Sequence, residues 1–163
     1  MAEIELNVIK SAIEVVRLRQ DHPPPTELQI NVVERLVNQK NSVNQLPTGS
    51  GKTWPVISLP SILRVLRDNF KQLVSQESRV LYIVPLVSIY HSLSREMKTL
   101  NIPHQILSSG SDSRVDICAD IVCVSPEKLL QKSVMNSILG LSWSAVSIGT
   151  ISKFKNKNSQ DNT

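Results

Sequence analysis

Pro47-Thr48-Gly49-Ser50-Gly51-Lys52-Thr53 follows a short strand-like segment, Ser42-Val43-Asn44-Gln45-Leu46, and opens a run that can be helical. Gly49 and Gly51 let the backbone take conformations closed to residues with a Cβ and come close to a phosphate. Successive N–H groups at a helix N-terminus then point into one anion-sized hollow. In that arrangement Lys52 reaches the β- and γ-phosphates and the Thr53 hydroxyl is placed to ligate Mg²⁺. The general pattern carries Gly where this chain has Leu46. The competing reading is a Gly/Ser turn that happens to be followed by Lys and Thr.

At 163 residues the chain is long enough for one domain and short for two. Hydrophobic residues make up 40% and charged residues 20%, which supports a core and excludes disorder throughout. The net charge of +4 is weak evidence for a nucleic-acid partner, because Lys153, Lys155 and Lys157 against Asp161 place a large share of it in the tail. The two cysteines, Cys118 and Cys123, fit neither a C-x-x-C redox pair nor a zinc knuckle, so free thiols in a reducing compartment and no disulfide partner are expected. The acidic start Met1-Ala2-Glu3-Ile4-Glu5 is unlike a signal peptide, and no run reaches the roughly 18 apolar residues of a membrane span. The expectation is a soluble intracellular protein, nuclear in preference to cytoplasmic, with no membrane partner.

From Ile4 to Arg19 the apolar residues Leu6, Ile9, Ile13 and Val16 recur at helical steps, which predicts an amphipathic helix within residues 1–20. Residues 21–25, with Pro23, Pro24 and Pro25, form a stiff link. Thr26 is placed to cap a second helix through about Asn38, with Leu28, Val32, Leu36 and Val37 facing inward. After Thr53 the chain stays apolar to Leu66, and Pro60 is expected to bend or restart that helix. Arg79–Val84 reads as a buried strand, followed by a helix from about Leu86 to Leu100. His104–Leu107 and Asp120–Val124 read as two more strands, with Ser108–Asp116 as loop between them. A helix from Pro126 to Leu139 and a strand from Trp143 to Ile148 complete the pattern, and residues 149–163 read as a polar, disordered tail. Strands alternating with helices predict an α/β fold with a mostly parallel sheet flanked by helices, preceded by an N-terminal helix.

In their order and spacing these residues resemble the first RecA-like lobe of a superfamily 2 helicase, most closely the RecQ-like branch. The resemblance implies a partial RecA-like P-loop NTPase domain over residues 26–148. Leu46-Pro47-Thr48-Gly49-Ser50-Gly51-Lys52-Thr53 is similar to the family's motif I, which tolerates a residue other than Gly at its first position. Motif I implies ATP and Mg²⁺ as ligands, with Pro47 through Thr53 around the phosphates and Thr53 on the metal. Gln29 precedes Lys52 at about the distance at which such helicases place the glutamine that hydrogen-bonds adenine, and a carboxamide offers the donor and acceptor an adenine edge needs. A solvated glutamine on a helix face is the alternative. No Phe, Tyr or Trp precedes Trp54 to stack on the base. Val84-Pro85-Leu86-Val87-Ser88 resembles motif Ia and Val124-Ser125-Pro126-Glu127 resembles motif Ib, whose loops hold the nucleic-acid backbone. Pro85, Ser88, Ser125, Pro126 and Glu127 are therefore the candidate nucleic-acid contacts, with DNA the expected partner and RNA not excluded. Ordinary strand-to-helix turns with capping serines are the competing reading. Two Trp, two Tyr and two Phe leave little for a base-stacking platform.

The family's strand equivalent to Ser144-Ala145-Val146-Ser147-Ile148 runs into Asp-Glu; here it runs into Gly149-Thr150. The resemblance therefore carries no catalytic acid across, because the family's aspartate holds Mg²⁺ and its glutamate orients or deprotonates the attacking water. The later strand of the first lobe, the second lobe and its arginine finger are also missing, which leaves a gap expected at the centre of the sheet. The resulting expectation is the ATP- and nucleic-acid-binding lobe of an ATP-dependent DNA helicase, truncated before the Asp-Glu motif and unable to hydrolyse ATP or unwind alone. The alternatives are a non-catalytic nucleotide- or nucleic-acid-binding module, an unstable truncated product, and, more remotely, another P-loop NTPase or kinase.

Overall fold

The computed structural model describes residues 3–41, 51–71, 77–85, 87–108, 110 and 113–149. Helix α1 (Leu6–Arg19) buries Ile9, Ala12, Ile13 and Val16, while Leu6, expected inward, is 40% exposed because it opens the first turn. Arg17 and Arg19 stand in its last turn, where the carbonyl ends of the helix favour cations. The chain then turns over Asp21 at φ 50°. The His22 N–H reaches the Arg17 carbonyl at 2.9 Å and the Asp21 N–H the Leu18 carbonyl at 3.4 Å, a Schellman stop without glycine.

Helix α2 (Glu27–Val37) starts at Thr26 through a reciprocal capping box with Gln29. Its buried face is Gln29, Val32, Val33 and Val37. Leu28, expected inward, is 43% exposed, because the polar Gln29 takes the inward place at this end of the helix.

Helix α3 (Trp54–Phe70) is the longest element described and passes through Pro60 without restarting. A proline inside a helix costs about 3 kcal/mol in lost hydrogen bonding and crowding. Burial of Val56, Ile57, Leu59, Ile62, Leu63, Val65 and Leu66 around it outweighs that cost.

The described sheet has four strands, β1 (Val80–Ile83), β2 (His104–Leu107), β3 (Ile121–Val124) and β4 (Ala145–Ile148), all parallel and ordered β2-β3-β1-β4. Val80 pairs with Ile121 on one side and Ala145 on the other, which fixes the faces. Val80, Tyr82, Ile121 and Cys123 share a core with α1, α2, α3 and α4 (Tyr90–Thr99), the last entered through a 3₁₀ turn at Val87–Ile89. Leu81, Val122, Val124 and Leu107 face the other way onto Val134 and Ile138 of α6 (Lys132–Leu139). The helix expected over Pro126–Leu139 is thus two, α5 (Pro126–Leu129) and α6, parted at Gln131, whose backbone is extended at φ −69°, ψ 124°.

At the far end of the strands, Arg64 of α3 pairs with the buried Asp120. There too Arg79 donates to the Ile117 carbonyl at 2.9 Å and lies 5.8 Å over the Trp143 ring. The expected strand at 42–46 and the tail from Thr150 onward lie outside the described residues. The fold is α/β with an all-parallel sheet flanked by helices, consistent with a partial RecA-like domain behind an N-terminal helix.

Candidate functional site

Gly51 stands at the mouth of α3 with φ +66°, a conformation that an L side chain resists. A Cβ there would lie 2.5 Å from Gln29 Nε2, so a larger residue would also displace the end of that side chain. Gln29 is the reason the approach is so close. Its Oε1 accepts from the Thr26 N–H at 2.8 Å, and its Nε2 donates to the Gly51 carbonyl at 3.0 Å. The same carbonyl accepts from the Trp54 N–H at 3.2 Å. One carboxamide thus ties the N-terminus of α2 to the start of α3. The capping box gives the buried Gln29 a second role beside the adenine contact expected from the resemblance.

Lys52 and Thr53 follow, both half-buried. Thr53 is the N-cap of α3, yet its side chain makes no capping hydrogen bond, which leaves that hydroxyl uncommitted to the helix. Pro47, Thr48, Gly49 and Ser50 lie outside the described residues.

Trp54 comes directly after, 1% exposed, with its ring stacked on His22 at 4.7 Å between centroids and 23° between planes. The indole Nε1 is buried with no hydrogen-bond partner among the described residues. One turn further along α3 the buried Ser58 hydroxyl donates to Gln20 Oε1 at 3.1 Å. Neither His22 nor Gln20 was singled out in the sequence. The stack joins residues far apart in the chain, and no local pattern announces it.

The motif-like loops leave the C-terminal ends of adjacent strands. Val84 N–H bonds to the Val124 carbonyl at 2.9 Å, which sets Pro85 and Ser125 side by side, and the Gly149 N–H bonds to the Ile83 carbonyl at 2.9 Å on the other flank. Ser88 and Glu127 are exposed, and Pro85 and Pro126 half-buried. Ser125 differs from Ser88, being 5% exposed with its Oγ accepting from the Lys128 N–H at 3.1 Å as the cap of α5. The Tyr90 hydroxyl packs there too, donating to the Val84 carbonyl at 3.3 Å, and burial raises its pKa.

Gly149, where the resemblance places an acid, meets Tyr82. A Cβ on it would sit 3.0 Å from the tyrosine hydroxyl. Burial raises the pKa of Tyr82. Glu96 on α4 is raised by desolvation and pulled back by the nearby His22. No group of three or more His, Cys, Asp or Glu able to hold a metal occurs among the described residues. Cys118 is exposed and Cys123 buried, both free, with the Cys123 thiol pushed up to about 12 by burial. No described helix is long and apolar enough to cross a membrane.

A search of curated proteins returns no match to the chain. The family model for DEAD/DEAH box helicases matches residues 26–151, which takes in both Gln29 and the Gly51-Lys52-Thr53 corner together with both strand-end loops. The chain therefore belongs to the DEAD/DEAH box helicases, within helicase superfamily 2.

Proposed function

We propose that this chain is the ATP- and nucleic-acid-binding lobe of a RecQ-like DNA helicase, working in the nucleus, and that as it stands it binds nucleotide without turning it over. The observation that carries the reading is the corner at Gly51, where a left-handed residue, a half-buried lysine and an uncommitted threonine hydroxyl meet at the start of a 17-residue helix. That donor set fits Mg²⁺–ATP. The Lys52 ammonium supplies a charge-assisted contact to phosphate, on the order of 1.5–3 kcal/mol, and the Thr53 hydroxyl supplies a hard oxygen suited to Mg²⁺. Pro47, Thr48, Gly49 and Ser50 complete the loop in this reading. Bound Mg²⁺ would neutralise charge between the β- and γ-phosphates.

What the chain's own residues do is hold and orient. Gln29 fixes the Gly51 carbonyl, so an adenine edge would have to compete with the capping box for the same carboxamide. Ser88, exposed beside Pro85, is the better placed of the two serines to meet a nucleic-acid phosphate; Ser125 already caps a helix, leaving Pro126 and Glu127 as the accessible part of that loop. Gly149 has no side chain to coordinate Mg²⁺ or move a proton, which supports binding without hydrolysis. The RecQ-like and DNA assignments rest on the motif resemblance.

Phosphate release and binding of a labelled single-stranded DNA oligonucleotide test this reading, with a single-stranded RNA of the same length beside it. The expected result is oligonucleotide binding with no phosphate release above that of Lys52→Ala. Turnover that disappears in Lys52→Ala, or absence of any binding to DNA, would overturn it.

A further inference from the structure

We infer that His22 is a positioning residue for the nucleotide site, acting through Trp54; the inference rests on the nucleotide-binding reading above. Lys52 and Thr53 sit between two fixed points. On one side Gly51 is held by the Gln29 carboxamide. On the other, Trp54 is held by the His22 ring at 4.7 Å. The two holding residues stand at the link between α1, which ends at Arg19, and α2, which begins at Glu27: His22 lies within it and Gln29 in the first turn of α2. The link is itself stiff. The His22 N–H is bonded to the Arg17 carbonyl at 2.9 Å, its Nδ1 donates to the Pro23 carbonyl at 2.8 Å, and Arg17 reaches back to the His22 carbonyl at 3.4 Å. Pro23, Pro24 and Pro25 then fix the backbone up to the Thr26 cap.

Among the described residues none orients the indole through its N–H, since Nε1 has no partner there. Its seat is set by core packing, and among the described residues the ring stacked on it is His22. A second tie, Ser58 to Gln20 at 3.1 Å, lies one helical turn away and fastens α3 to the same end of α1. Residues 20–22 lie outside the 26–151 family match, so the N-terminal segment contributes part of the support for a site whose phosphate-contacting residues all lie within that match.

The test compares His22→Phe with His22→Leu in the full chain. Both are apolar and of similar bulk, and only the first keeps a ring over Trp54. Binding of the fluorescent analogue mant-ATP with Mg²⁺ is titrated for each, alongside a melt without nucleotide. His22→Phe is expected to bind within about threefold of wild type, and His22→Leu about five- to tenfold more weakly, with a melting temperature lowered by no more than the few degrees that loss of one ring pair costs. Equal affinities for the two variants, or weaker binding by His22→Leu that appears only at temperatures within its melting transition, would overturn the inference. Failure of the unmutated chain to bind mant-ATP would instead remove the nucleotide-binding reading on which it rests.

Discussion

The two faces of the sheet are built to different depths. On one, Val80, Tyr82, Ile121 and Cys123 lie under α3 and α4, with α1 and α2 packed behind, and Ile57, Leu59, Ile62 and Leu66 are completely buried. On the other, the eight-residue α6 and the single turn of α5 cover β3 and its neighbours, while Val146 and Ile148 of β4 stay 55% and 67% exposed. The difference teaches where precision is needed. The deep face carries the helix that begins at Lys52-Thr53, and a phosphate site works only if its support does not give. The shallow face lies on the other side of the sheet from that helix.

The contrast can be broken most sharply at Ile57. Ile57→Ala should destabilise by about 2–5 kcal/mol, the range for truncating a fully buried aliphatic side chain, and a denaturant titration reads it directly. A loss below about 1 kcal/mol would mean that the deep face is loosely packed.

Alkaline pH probes the same face through Cys123. Its thiol is held at about 12 against an ordinary 9.0, so the unfolded chain ionises first. The associated stability is complete below pH 9.0 and declines as pH rises toward about 12. Tyr82 and Tyr90, raised by burial from 10.0, act in the same direction at higher pH. Melts near pH 8.5 and pH 10.5 should show a larger drop for wild type than for Cys123→Ala; equal drops would show that the thiol is solvated.

The smallest effect is expected on the shallow face. Val146→Thr, at a half-exposed position, should change stability by less than about 0.5 kcal/mol. A loss of several times that would show Val146 to be covered in solution and would bring the two faces closer together.

Much of this architecture was legible in the sequence, and the residues explain where legibility stopped. His104–Leu107 was bounded correctly because Pro103 and the loop after Leu107 punctuate it. Thr26 read correctly as a cap, and the Thr-x-x-Gln spacing also announces the box that engages Gln29, a signal overlooked in favour of an adenine contact. Pro60 misled because local backbone cost is visible in sequence, whereas the burial of the helix around it is not. The 126–139 stretch reads as one helix since Gln131 is no breaker, whereas the backbone there is extended. Ser125 and Ser88 look alike in sequence; only burial separates the cap from the exposed hydroxyl.

The central claim, that Lys52 at the head of α3 holds a nucleotide, is tested most directly by thermal melts of the chain and of Lys52→Ala with and without Mg²⁺–ATP. At a hundredfold excess over the dissociation constant, ligand adds about 2.7 kcal/mol, which for a chain of this size is a rise of roughly 5–10 °C. The account predicts that rise in the wild-type chain and its absence in Lys52→Ala. No rise in either, or the same rise in both, would contradict it.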